Sequence, residues 1–224
     1  MKYRGNRGSE WRKWDLHVHT PESGMSNKFG NNWDEYVKAL FQTAILNEVA
    51  VIGITDYFTI DGYKKLKREY CENVPKLLEL FDNDAELVNK IRQIKLFPNI
   101  EFRLNTFVGS SRINYHVIFS DQLSIEDIED NFLHELKFSY EQYPDATDCR
   151  HSLKRSNIED LGKKLKSEQP SFRDSDFVVG CTNAVVNDNQ IRETLKNYSD
   201  KFEGKYQPFI NVFDYYVPFS GELS

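Results

Sequence analysis

The chain has 224 residues, 39% of them hydrophobic and 14% aromatic, with a net charge of −6. That composition is globular, sufficient for one sizeable core, and excludes a disordered chain or a surface basic throughout. No apolar run has the length of a membrane span or the setting of a signal peptide, and Cys71, Cys149 and Cys181 show no paired spacing, so a cytoplasmic protein with reduced thiols is expected.

In chain order, residues 1–13 form a basic lead-in carrying Lys2, Arg4, Arg7, Arg12 and Lys13, and residues 14–224 are expected to form one domain. Trp14–Thr20 reads as a strand. Trp33–Asn47 reads as a helix with Trp33, Tyr36, Val37, Leu40, Phe41, Ala44 and Ile45 on one stripe, started by Asn32 with Glu35 three residues on. Val49–Thr55 is a second strand. The stretch from Gly62 to about Ile91 reads as two helices, broken near Asn73–Pro75 or Asp82–Asp84. Strands follow at Ile94–Phe97, continuing toward Glu101, and at Ile113–Ser120. Ser124 and Ser156 look like starts of helices ending near Phe138 and Lys166, and Asp176–Cys181 and Pro208–Tyr216 complete the strands. Strand and helix in regular alternation imply a largely parallel sheet.

The metal-capable side chains fall on or just after these strands. Strand side chains alternate, so Asp15, His17 and His19 share a face, with the two imidazoles roughly 7 Å apart along it. Asp56 follows Val49–Thr55, Glu101 follows Leu96–Ile100, His116 lies within Tyr115–Phe119, and Asn183 follows Val178–Cys181. Singly, each has an ordinary explanation: a core histidine, a loop cap, a surface carboxylate. Together they suggest a metal site at the rim of a closed β/α barrel, where the C-terminal ends of strands meet; an open sheet is expected to disperse them. His134 and His151 read as surface or structural, and the cysteines lack zinc spacing.

Asp15-Leu16-His17-Val18-His19-Thr20, then Gly53-Ile54-Thr55-Asp56, then a glutamate and a histidine on later strands, resembles the PHP (polymerase and histidinol phosphatase) superfamily. Arg7–Trp14 and Ile54–Tyr63 are similar to the N-terminal PHP domains of TrlF-type and phage-defence proteins that continue into an SMC- or AAA-like ATPase. The resemblance implies a distorted (β/α)7 TIM-like barrel and a cluster of divalent ions. His17 and His19 would bind the first metal, Glu101 would bridge two, and His116 would bind the second. Asp15 would orient an imidazole from behind. Tyr57 stands where many members have a third-metal histidine, and no late Asp-x-His follows, so two ions and a chain lacking its final strand–helix units are expected.

Imidazole and carboxylate ligands suit Mn, Zn or Fe. The expected activity is hydrolysis of a phosphate ester, a nucleic acid among the candidate substrates, with Glu101 and Asp56 in catalytic roles and Arg103 and Arg112 holding phosphate. Two other readings stand beside it: a non-catalytic PHP-like regulatory or docking module, and a hydrolase of C–N bonds.

Overall fold

Asn32 starts the first long helix as its sequence suggests. Its Oδ1 accepts the Glu35 amide at 3.2 Å while its Nδ2 donates to the Glu35 carboxylate at 2.8 Å. The computed structural model describes residues 12–25, 28–108, 111–140 and 151–211, so most of the basic lead-in and Cys149 lie outside the described residues. Helix α1 (Trp33–Leu46) buries Trp33, Tyr36, Val37, Leu40, Phe41 and Ala44 of the stripe read from the sequence, and its last member, Ile45, is half-buried. Strands β1 (Lys13–His19) and β2 (Val49–Tyr57) flank it.

The next helical region breaks at both suspected places. Helix α2 (Asp61–Lys65) runs into a π-helical stretch at Leu66–Cys71, then Asn73 caps α3 (Val74–Leu80) and Asp84 caps α4 (Ala85–Ile91). Strands β3 (Lys95–Val108) and β4 (Ser111–Phe119) follow, then α5 (Ile125–Asn131) and β5 (Phe138–Tyr140). The helix expected to reach Phe138 thus stops early, and Phe138 opens a strand instead. Helix α6 (Arg155–Glu168) contains Ser156, the residue expected to cap it.

Asp176–Cys181, read as a strand, is helical: α7 (Asp176–Asn183) is capped by Ser175, whose side chain accepts the Val178 amide. A short apolar run does not by itself distinguish a strand from a buried helix. Here Gly162 and Gly180 decide, because they let α6 and α7 touch backbone to backbone. A Cβ on Gly180 would sit 2.0 Å from the Ile158 carbonyl oxygen, and one on Gly162 1.8 Å from that of Asp176. The strand comes after, as β6 (Ala184–Val186), followed by α8 (Asp188–Asn197), α9 (Ser199–Phe202) and β7 (Tyr206–Asn211). The remainder of the last expected strand lies outside the described residues.

The expected barrel does not form. Among the described residues seven strands make an open mixed sheet with the path β1-β2-β3-β4-β7, while β6 pairs with β3 and β5 with β6. The first three strands are parallel, but β3–β4 and β4–β7 are antiparallel. Only two residues separate β3 from β4, and a parallel pair needs a crossover of roughly a dozen. The chain therefore turns back where a β/α barrel requires a helix.

Strand alternation sorts the two faces of β3 and β4. Ile100, Phe102, Val117 and Phe119 are fully buried, and Phe102 meets Phe58 and Phe132 edge-on in an aromatic core that extends to Phe202. The opposite face carries Asn99, Glu101, Asn114 and His116, also buried but polar. Among the described residues no helix is long and apolar enough to cross a membrane.

Candidate metal centre

The centre begins with an irregularity in β1. Asp15 pairs with Ile52 and Val18 with Ile54, so three steps on β1 face two on β2. Such a bulge inserts one residue and re-aims the side chains beside it. Gly53 makes room for it, since a Cβ there would lie 2.2 Å from the Leu16 carbonyl oxygen. His17 and His19, beyond the bulge, project together. Asp15, before it, loses the strict two-residue period that placed it on their face.

Tyr57, Glu101, His116 and Phe209 form one row across β2, β3, β4 and β7. Glu101 is therefore mid-strand, level with the end of β2, and not at a strand terminus. Three strand spacings separate β1 from β4, roughly 14 Å in a flat sheet. The rings of His17 and His116 are nevertheless 4.6 Å apart. Leaning side chains recover only part of that difference, so the sheet curls with this face inward. Curling of neighbouring strands, without closure, brings the ligands together.

The reactive atoms converge closely. His17 Nε2 lies 3.0 Å from His19 Nε2 and 3.1 Å from Glu101 Oε2, and His19 Nε2 lies 3.3 Å from the same oxygen. Ligands held around one ion by bonds of about 2.0–2.2 Å stand about 3–3.5 Å from one another, so this donor set fits a divalent cation. His116 Nε2 is buried with no hydrogen-bond partner and lies 3.7 Å from Glu101 Oε1. His17, Glu101 and His116 offer ligand atoms all within 4.8 Å of one another.

Three of the candidate ligands are held from behind. His19 Nδ1 meets Ser23 Oγ at 2.9 Å, and the Tyr57 ring stacks on the same imidazole. His116 Nδ1 faces Asn99 Oδ1 at 3.3 Å, and Phe209 stacks on its ring at 4.4 Å. Asn114 Nδ2 donates to Glu101 Oε1 at 2.8 Å. Burial pushes the Glu101 carboxyl up, but hydrogen bonds from His17 and His19 and the nearby imidazole charges reverse this and hold it well below the usual range. Burial brings His116 down to about 3, against the attraction of Glu101. Both therefore present lone pairs at neutral pH.

The remaining expected residues are placed differently. Asp56 points away from the cluster, between Thr55 and Tyr57, which face it. Its carboxylate accepts the Thr20 hydroxyl at 2.6 Å and the Gly62 amide at 2.8 Å, joining the end of β1 to the start of α2. Burial pushes it up to about 6 despite these bonds. Asp15 accepts the main-chain amide of His17 at 3.3 Å, and burial raises its carboxyl as well. Arg103 sits one row beyond Glu101, where its Nη1 donates to the Thr182 carbonyl at 3.1 Å and its buried Nε lacks a hydrogen-bond partner. The Arg112 side chain lies outside the described residues. Asn183 caps its own helix by donating to the Val179 carbonyl.

Ser23, Asn99, Asn114 and Phe209 were not found by sequence reasoning. Asn99 and Asn114 carried a signal nonetheless: each is two residues from an expected ligand on its own strand, hence on the same face. No protein-family model matches the chain, and no curated protein matches it in sequence. The likeness to the PHP superfamily thus rests on the motifs themselves.

Proposed function

We propose that this chain is a metal-dependent phosphoester hydrolase in which His17, His19, Glu101 and His116 hold divalent cations of the Mn, Zn or Fe kind. The observation that carries the reading is the meeting of half-buried His17 Nε2 and His19 Nε2 with the buried Glu101 Oε2 at 3.0, 3.1 and 3.3 Å.

A bound cation supplies an acidified water and a Lewis acid for the phosphoryl oxygens. Glu101 turns Oε2 toward His17 and His19 and Oε1 toward His116, the division that two ions would use. Arg103, on the same face, keeps an unpaired Nε–H donor that suits a phosphate oxygen. Asp56 serves as a brace between β1 and α2. The motif likeness around Arg7–Trp14 and Ile54–Tyr63 extends the proposal to a cytoplasmic nuclease working beside an SMC- or AAA-like ATPase region.

Purified protein loaded with Mn²⁺ should hydrolyse bis(p-nitrophenyl) phosphate or a nucleic-acid strand, and His17→Ala and Glu101→Ala should abolish turnover. Undiminished activity in those variants would overturn the assignment. Metal uptake without turnover of any phosphate ester would favour a binding module instead.

A further inference from the structure

Asn99 is fully buried in the middle of β3, and all three hydrogen bonds of its amide are accounted for. Nδ2 donates to the Leu16 carbonyl at 2.8 Å and to Thr55 Oγ1 at 2.9 Å, while Oδ1 faces His116 Nδ1 at 3.3 Å. Thr55 in turn donates its hydroxyl to the Gly53 carbonyl, so its oxygen is an acceptor for Asn99.

These bonds fix the proton positions by elimination. A carbonyl oxygen only accepts, so the group facing Leu16 is the NH₂ and the group facing His116 is the amide oxygen. An amide oxygen also only accepts, so Nδ1 of His116 must carry the ring proton. Nε2 is then the nitrogen with the lone pair, and it is the buried atom without a partner. The Leu16 carbonyl belongs to the bulge that aims His17, and it is the oxygen that a Cβ on Gly53 would strike.

We infer that Asn99 is a positioning residue for the metal centre. One amide holds the His17 bulge with its nitrogen and locks His116 in the Nδ1–H tautomer with its oxygen, so that both imidazoles present Nε2 to a cation. The inference rests on the metal-binding reading above and adds the residue that prepares two ligands from separate strands. Partners behind a ligating histidine fix its tautomer and raise its basicity, and their loss typically weakens metal binding about 10–100-fold.

The test uses Co²⁺ and Zn²⁺ titration of the full chain, followed by absorption and calorimetry, together with ¹⁵N NMR of the histidine rings in metal-free protein. Metal-free wild type should show His116 protonated at Nδ1. Asn99→Ala should bind Zn²⁺ about 10–100-fold more weakly. Asn99→Asp keeps an acceptor for Nδ1–H but loses both donors, so it should recover only the His116 share of the metal affinity, binding between Asn99→Ala and wild type while melting as low as Asn99→Ala. A purely structural role would lower both melting temperatures and leave both affinities at the wild-type value, which would overturn the inference. So would an Nε2–H tautomer in wild type, a result that needs no variant to fold. Wild-type protein that takes up no metal would sink this inference and the proposed function together; normal uptake with the wrong tautomer would sink only the inference.

Discussion

Tyr57 lies flat against His19, with ring centroids 5.0 Å apart and planes 15° from parallel. The stack limits rotation of the imidazole while Ser23 holds its Nδ1, so the direction of Nε2 is set by packing as well as by hydrogen bonding. Removing the Tyr57 ring should leave a cavity and a loose ligand. Tyr57→Ala is expected to cost about 3 kcal/mol in chemical denaturation and to weaken Zn²⁺ binding about 10-fold. Tyr57→Phe, which keeps the stack, should bind more tightly than Tyr57→Ala.

Metal should stabilise the fold through mass action. At a free Zn²⁺ or Mn²⁺ concentration 100 times Kd, a cation that binds only folded protein adds about 2.7 kcal/mol. Thermal melts should shift upward with metal and return after chelation. His17→Ala and Glu101→Ala should show little shift.

Asp56 predicts a pH dependence with a definite sign. Its carboxyl rises from an ordinary 3.8 to about 6 in the fold, chiefly because burial disfavours the charge. A raised acid binds its proton more tightly when folded, so its contribution is full below pH 3.8 and is lost as pH climbs through 6. That difference corresponds to about 3 kcal/mol. Denaturation of wild type and Asp56→Asn between pH 4 and 7 should diverge by up to this amount, with wild type losing ground as pH rises. Carboxylates lowered by their partners, such as Asp34 and Asp127, act oppositely at lower pH and are common to both proteins.

Gly53 should tolerate no side chain. A methyl group there meets the Leu16 carbonyl at 2.2 Å, and a backbone atom cannot swing aside as a flexible side chain can. Gly53→Ala is expected to cost about 3 kcal/mol and to lower Zn²⁺ affinity by displacing the bulge under His17. Denaturation and titration of the same sample separate the two effects.

Arg155 joins α6 to the metal side of the molecule. Its Nη1 lies 3.1 Å from Asp61 and 3.4 Å from Glu22, and its guanidinium rests 4.0 Å above the Phe177 ring. These contacts are partly exposed, so Arg155→Ala should cost only about 1–2 kcal/mol. Arg155→Lys should recover less than half, because an ammonium cannot both stack and fork. Urea midpoints of the three proteins provide the measurement.

The site was more legible in the sequence than the architecture around it. His17, His19, Glu101 and His116 could be found because chemistry-bearing residues stood out from apolar strands, and the structure places all four together. The barrel was inferred from the belief that an open sheet would scatter them. Adjacent strands with strong curl remove that need, and curl leaves little trace in a single sequence. The helix at Asp176–Asn183 was misread because its apolar run is short and its signal, Ser175 with two close-packing glycines, only acquires meaning beside α6. Asp56 went astray for a simpler reason: proximity in sequence to a strand end does not say which face a carboxylate takes. Asn99 lay hidden because its role depends on contacts to Leu16 and His116, neither of them near it in the chain.

The position of β1 has a kinetic consequence. Among the described residues it has a neighbour on one side only, β2, yet it carries two of the four proposed ligands. Peeling away this single outer ribbon breaks one ladder and leaves the aromatic interior standing, so it lies among the cheaper openings of the molecule. Release of a bound cation is then expected to follow fraying of that ribbon rather than whole-molecule unfolding. Conversely, an ion in place acts as a rivet, and hydrogen exchange along Lys13–His19 should slow far more upon loading than exchange at Phe102 or Val117.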